Sequence, residues 1–285
     1  MTTDIITTHA DVLDLSADDF ASFDCLITDP PYSAHVHANA ASIGSGGRGS
    51  QERDLGFAPL TPELLGAIAN AANNVKRWSC IFSDFEGTHL WREACDLAEY
   101  IRLVPWIRWS QPQLSGDRPC TGAEAVNIFH AQRLGKRGGV SPLKKHWNGP
   151  GSLTHFSRRC MRGKEKHPTE KPIDLMLDLV SYFSDPGDVV FDPCAGAGTT
   201  ALACRLLGRS CVSFEIDEAW AAKAERRATG RLSPRDEERA KEWCVTVSEE
   251  VDTVPLPRAD DGSDVRTWER GQRRLADVGR VVEEL

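Results

Sequence analysis

Four consecutive residues, Asp29-Pro30-Pro31-Tyr32, follow the apolar run FDCLIT at 23–28. They combine a carboxylate, a rigid backbone carbonyl and an aromatic face. That set suits chemistry on an exocyclic amine of an aromatic ring. The lone pair of such an amine is delocalised into the ring, so it must rehybridise before it can attack a methyl carbon. Acceptors on its two N–H bonds stabilise the charge that then builds on nitrogen. Asp29 offers one acceptor and the carbonyl of Pro30 the other. Proline fixes its own φ and restricts the residue before it, which holds that carbonyl beside the carboxylate. Tyr32 is placed to receive a planar ring that has left its stack. Such catalysis is positioning and electrostatics, and it requires no metal when the methyl donor carries its own leaving group. Standing alone, the tetrapeptide also reads as a plain strand-ending turn.

A second constellation lies far along the chain. Gly196-x-Gly198-x-x-Ala201 follows an apolar run and opens a helical pattern. Glu215 stands 19 residues beyond Gly196, at the end of the next apolar run. This is the fingerprint of a site for an adenosine-bearing cofactor. The glycines admit the ligand close to the backbone, the helix N-terminus offers free N–H groups to an anion, and Glu215 can accept from ribose hydroxyls. Thr199 and Thr200 are placed to help bind a carboxylate. The fingerprint does not separate NAD from S-adenosylmethionine.

Composition bounds the rest. The chain has 285 residues, 40% hydrophobic and 27% charged, as in a soluble globular protein with one large domain and a modest insert or tail. It has no uncharged apolar stretch long enough for a membrane span and no basic-then-apolar leader. Nine cysteines, at 25, 80, 95, 120, 160, 194, 204, 211 and 244, are too loosely spaced for a zinc knuckle and read as free thiols of a reducing compartment. His35 and His37 lack further ligands nearby, so no metal site is expected. Net charge is −8, yet residues 131–171 hold eleven Lys and Arg against Glu165 and Glu170, a local +9 on a remainder of −17. A basic segment on an acidic body is an electrostatic footprint for nucleic acid when other signals agree.

The elements that must position these residues alternate. Strand patterns lie at 5–8, 23–28, 78–83, 103–109, 123–130, 188–191 and 211–214. Helix patterns lie at 61–75, opened by Thr61-Pro62, at 89–100, at 172–183, at 199–207, stopped by Gly208, and at 218–227. Residues 33–60 read as a long loop. The alternation predicts an α/β sheet. After Gly230 the chain turns strongly charged and reads as a peripheral tail, partly helical or disordered.

Taken together, these motifs resemble the amino-group DNA methyltransferases, in particular the permuted class in which the catalytic motif precedes the cofactor motif. The resemblance covers roughly 5–230. It rests on ITDPPY (27–32), HADVLDL (9–15), KHPTEKP (166–172), VVFDPCAGAGTTALA (189–203) and SFEIDEAW (213–220). It implies a Rossmann-like, circularly permuted S-adenosylmethionine-dependent methyltransferase fold, with a mostly parallel sheet and one antiparallel strand. The strand before Asp192 should then lie beside the strand before Asp29, both opening on one cleft at the switch point of the sheet.

By the same resemblance Asp29, Pro30, Pro31 and Tyr32 are catalytic. Asp11, His167, Thr169, Lys171, Asp192, Cys194, Gly196, Gly198, Thr199, Thr200 and Glu215 form the site of S-adenosylmethionine. Residues 1–230 form the catalytic domain, 131–166 a small target-recognition insert, and 231–285 the tail. Within the insert Lys144, Lys145, Arg158, Arg159 and Arg162 are candidates for double-stranded DNA, while Trp147 either stacks on bases or packs under the loop. Cys194, Ser213 and Trp220 depart from the family's usual Phe, Gly and Tyr.

The implied reaction is adenine-N6 methylation, because Asp rather than Ser opens the catalytic motif. Cytosine-N4 methylation, an NAD-dependent oxidoreductase and a non-catalytic DNA-binding relative are the alternatives. The oxidoreductase leaves Asp-Pro-Pro-Tyr and HPTEKP without a role. The implied setting is the cytoplasm of a bacterial or phage-infected cell. A homodimer and a cognate restriction enzyme are further partners that the resemblance admits.

Overall fold

A computed structural model describes residues 3–34, 57–108, 122–131, 147–150, 153–158 and 170–234, with a few positions up to 243. The strands are β1 (Ile5–His9), β2 (Cys25–Thr28), β3 (Trp78–Ser83), β4 (Glu99–Arg108), β5 (Ala123–His130), β6 (Phe156–Arg158), β7 (Val189–Asp192) and β8 (Ser210–Glu215). The helices are α1 (Ala17–Phe20), α2 (Pro62–Asn74), α3 (Thr88–Ala94), α4 (Ile173–Phe183), α5 (Thr199–Leu206) and α6 (Glu218–Thr229). One eight-stranded sheet runs β1-β8-β7-β2-β3-β5-β4-β6. Only β5 is antiparallel to its neighbours, β3 and β4. This matches the expected mostly parallel sheet with one antiparallel strand.

Alternation along the central strands builds two cores. Cys25, Ile27, Cys80, Phe82 and Val190 face one layer, with Leu175, Leu179 and Phe183 of α4 and Ala201 and Cys204 of α5. Leu26, Ile81, Phe191, Val212 and Phe214 face the other, with Phe20 of α1, Ile68 and Ala72 of α2 and Trp91 of α3. Both faces of the parallel strands are therefore buried, which is why their sequences read as apolar runs.

The key adjacency is β2 beside β7, with Leu26 opposite Phe191. The two strands are more than 160 residues apart in the chain, yet their carboxyl ends emerge at one edge. Local signals deliver them there. Pro30 and Pro31 cannot continue a ladder. On the other side Asp24 fixes the entry of both strands, since its Oδ2 accepts from the Val189 N–H at 2.9 Å.

Several elements differ from the sequence reading. The helix predicted over 89–100 ends at Ala94, and Glu99 and Tyr100 already belong to β4. Asn73 at the end of α2 captures the turn, its Oδ1 accepting from Leu97 N–H at 3.2 Å and Ala98 N–H at 2.9 Å. β6 has no signature in the sequence pattern; three residues are too few to show a period, and its pairing with β4 is tertiary. The residues after Gly230 also begin as part of the body. Leu232 and Trp243 pack against the first core, and Arg239 Nε lies 3.1 Å from Asp174 Oδ1 on α4.

The expected long loop at 33–60 falls mostly outside the described residues, as do His35 and His37. Among the described residues, no helix is long and apolar enough to cross a membrane, no group of His, Cys, Asp and Glu is placed to hold a metal ion, and Cys25, Cys80, Cys95, Cys194, Cys204 and Cys211 are free.

Candidate active site

The tetrapeptide leaves β2 and is tied down by two bonds at its far end. The Ser33 N–H donates to Asp84 Oδ2 at 3.1 Å, just past β3, and the Tyr32 carbonyl accepts from the Leu60 N–H at 3.0 Å. Asp29 therefore sits on a fixed turn between β7 and β3. Its Oδ2 accepts a hydrogen bond from the Lys171 ammonium. Among the described residues, its Oδ1 is shielded from solvent and has no hydrogen-bond partner. A shielded acceptor left open costs about 1–3 kcal/mol and marks a place where a donor belongs.

The family resemblance assigns Lys171 to the cofactor; in the structure its ammonium bonds Asp29 of the Asp-Pro-Pro-Tyr turn. It immediately precedes the N-cap of α4 and is only 7% exposed. Its ammonium lies 3.3 Å from Glu124 Oε2, and 5.4, 5.0 and 6.0 Å from the ring centroids of Tyr32, Phe82 and Trp106. The Tyr32 hydroxyl donates to Glu124 Oε2 at 2.5 Å. Sequence reasoning misses Glu124. It lies near the start of β5, and because β5 runs against its neighbours its start, not its end, reaches the carboxyl edge of β3. An acid in the otherwise apolar run AEAVNIFH is the available signal.

The electrostatics follow from burial and from this cluster. Burial pushes the Asp29 carboxyl up, Lys171 opposes that, and Glu124 adds to it. Burial alone would pull the Lys171 ammonium down, but Asp29 and Glu124 outweigh it and hold it above its ordinary value.

The glycine loop occupies the neighbouring ends of β7 and β8. Gly196 and Gly198 have φ of 51° and 72°, a left-handed region that glycine enters without strain. A Cβ on Gly198 would lie 2.8 Å from the Ala224 Cα, so this glycine also lets α6 close on the loop. Glu215 Oε2 accepts from the Gly196 N–H at 2.7 Å and Oε1 from the Asp217 N–H at 3.1 Å. Asp11 lies just past the end of β1, where the Ala10 N–H bonds the Glu215 carbonyl, and caps its own turn through the Leu13 N–H at 3.0 Å. Asp11, Asp192 and Glu215 thus follow or end three adjacent strands, β1, β7 and β8.

Other predicted cofactor residues serve the loop from within. Asp192 Oδ1 accepts from the Cys194 N–H at 3.1 Å, and burial pushes its carboxyl up to about 6 despite a hydrogen bond from Thr200. Thr199 and Thr200 are buried. Arg227 of α6 donates to the Ala197 carbonyl at 3.0 Å and to Thr199 Oγ1 at 3.1 Å, and pairs with Glu170 Oε1 at 2.9 Å. Glu170, rather than Lys171, is thus what links the segment before α4 to the glycine loop. Burial holds the partly exposed Cys194 thiol well above its ordinary range.

The predicted DNA contacts are placed differently. Arg158 forks onto Asp178 at 2.7 and 2.9 Å and stacks 4.9 Å from the Trp243 centroid, so its guanidinium is committed to the body. Trp147 takes the packing role, 6.1 Å from Tyr182 edge-on and 5.6 Å from Phe183. Lys144, Lys145, Arg159, Arg162, His167 and Thr169 lie outside the described residues.

Comparison with known proteins agrees with this geometry. A family model described as DNA methylase, of the N6/N4 group, matches residues 23–226. The chain is 33% identical over 110 residues to the DNA adenine methyltransferase YhdJ of Escherichia coli K12, covering 32% of this chain and 37% of that protein. It is 30% identical over 106 residues to the type II methyltransferase M.HpaI of Haemophilus parainfluenzae, covering 36% and 34%. These matches span about a third of the relatives' lengths. The fold is similar to the crystal structure of an M1.HpyAVI–SAM complex, with a TM-score of 0.55 at 20% identity, over 78% of this chain and 99% of that one. The sheet is thus that of the Rossmann-like methyltransferases.

Proposed function

The chain belongs to the N6/N4 DNA methylase family, whose model spans residues 23–226, and from that premise we propose that it methylates the N6 amine of an adenine flipped out of double-stranded DNA. The observation that carries this reading is the shielded Oδ1 of Asp29, without a hydrogen-bond partner among the described residues, on a fixed turn beside the glycine loop. It supplies the acceptor that an aromatic amine needs as it rehybridises. The Pro30 carbonyl supplies the other acceptor, and Tyr32 receives the face of the base. Asp rather than Ser at position 29 favours adenine N6 over cytosine N4.

The donor set around the loop fits S-adenosylmethionine better than NAD. Carboxylates of Asp11, Asp192 and Glu215 gather at one edge of the sheet. They attract hydroxyls and cations and repel a pyrophosphate. Glu215, already aligned by two backbone N–H groups, would hold the ribose hydroxyls, and Asp11 would lie by the adenine. When bound, the cofactor supplies an electrophilic methyl group on a positively charged sulfur. The protein's part is to align the amine with it and to exclude water. Free cysteines accord with a reducing cytoplasm. A second copy of the chain and a cognate restriction enzyme are the further partners this reading admits.

The test is transfer of labelled methyl from S-adenosylmethionine to duplex DNA, followed by digestion to nucleosides. N6-methyladenine is expected, and Asp29→Ala should abolish it while calorimetry still registers cofactor binding. Label in N4-methylcytosine would move the reading to the other base. Binding of NAD without S-adenosylmethionine would refute it.

A further inference from the structure

The cluster around Lys171 holds more charge than the proposed chemistry uses. A lysine 7% exposed among Tyr32, Phe82 and Trp106 is a costly arrangement unless its ammonium is paired. An apolar side chain of similar length would fill this aromatic pocket without that cost. The ammonium instead bonds one oxygen of Asp29 and leaves the other open. Glu124, from a different strand, reaches both Lys171 and the Tyr32 hydroxyl.

We propose that Lys171 and Glu124 are a positioning pair for the methyl transfer, an inference that rests on the function proposed above. Lys171 fixes the Asp29 carboxylate through Oδ2 and keeps Oδ1 an acceptor aimed at the substrate amine. Glu124 fixes Lys171 and the tyrosine that receives the base, so the carboxylate and the aromatic face are set by one shared group.

The charges make this a signed expectation. Two carboxylates share one ammonium. Among the described residues, the other ionisable groups that face Asp29 are Tyr32 on its own turn and Asp192 and Cys194 at the end of β7. Asp84, beyond β3, accepts from the Ser33 N–H. Lys171 is the cation among them. The ammonium is the strongest influence opposing burial at Asp29, so its loss lets Asp29 take up a proton at higher pH. A protonated Asp29 is a neutral, weaker acceptor and no longer offsets the charge that builds on the amine. Loss of the Glu124 charge acts the other way and makes Asp29 easier to ionise.

Two variants of the full chain test this. In single-turnover transfer to DNA, Lys171→Met should move the acid limb of the rate profile to higher pH and cost about tenfold or more at pH 7. Glu124→Gln, which still accepts from Tyr32, should move the limb to lower pH. Neither should change the Kd for S-adenosylmethionine, and thermal melting reports whether each variant folds. Carboxyl-carbon NMR, with Asp29→Asn assigning the resonance, should show Asp29 titrating higher in the first variant and lower in the second. This titration requires no activity, so it decides the pairing even if wild-type protein transfers no methyl group, a result that would count against the proposed function alone. Limbs that stay put while rates fall equally at every pH, or Asp29 titrations that move in one direction in both variants, would overturn the proposal.

Discussion

Asp192 ends a buried strand, and burial pushes its carboxyl up to about 6 although Thr200 and the Cys194 N–H both bond it. A carboxyl raised in the folded state binds protons more readily there than in the unfolded chain. Its penalty is present above pH 6, shrinks as pH falls from 6 towards 4, and is absent below the unfolded value near 4. Asp192→Asn keeps an acceptor for Cys194 and gains a donor for Thr200. It should raise thermal stability at pH 8, by on the order of 2–3 kcal/mol, with the gain disappearing near pH 4, while weakening S-adenosylmethionine binding in calorimetry. A gain unchanged between pH 8 and pH 4 would refute the account. Residues of this kind are legible in the sequence because each sits at a fixed offset within one motif. Asp29, Tyr32, Gly196 and Glu215 can be read that way. Glu124 cannot, because its meaning lies in a bond to Tyr32, 92 residues away. Lys171 can be read within its motif, but its bond to Asp29 cannot, since sequence order says nothing about which strand end a lysine faces.

Elements are legible in proportion to their length and their punctuation. β3 and β5 match their predicted ranges, and Thr61 caps α2 as its sequence implies, accepting from the Leu64 N–H at 3.2 Å. The end of α3 is not legible, because the amphipathic pattern runs on past Ala94 and the stop is set by Asn73 on another helix. Gly198 joins these local and tertiary demands at one position. It opens α5 with a left-handed φ, and its α-hydrogen side is where Ala224 of α6 packs. Gly198→Ala meets both the conformational penalty and backbone atoms that cannot swing aside. It should lower unfolding free energy by about 2 kcal/mol or more, measured in urea, and loosen the loop enough to weaken cofactor binding. Gly187→Ala shares the positive φ, at 88°, with open space around the missing Cβ. It should therefore be the milder change, and the difference between the two measures how closely α6 packs on the loop.

The molecule as a whole separates charge from order of synthesis. Because strands far apart in the chain become neighbours, a motif encoded early meets a loop encoded late, and one edge of the sheet collects Asp11, Asp29, Asp192 and Glu215. Carboxylates gathered there repel a polyanion, so the affinity for DNA that the proposed function requires must come from elsewhere, and the basic stretch within 131–171 is the source the sequence offers. Not every cation in that stretch is available. Asp178, 4% exposed at its side chain, holds Arg158 against Trp243 from beyond the catalytic region, which makes Arg158 part of the seam between body and tail. The two kinds of arginine and lysine can therefore be told apart by what they change. Lys144→Glu with Lys145→Glu should weaken DNA binding and flatten its dependence on salt. The log–log slope should fall by close to one for each phosphate no longer neutralised, with melting temperature unaltered. Arg158→Ala should do the reverse. It strands the buried Asp178 charge and costs about 2 kcal/mol of stability, reduced from the fully buried case because the arginine is partly exposed, while leaving the salt slope as it was. A salt slope that falls with Arg158→Ala would return that residue to the DNA interface, and with it the seam it shares with Trp243.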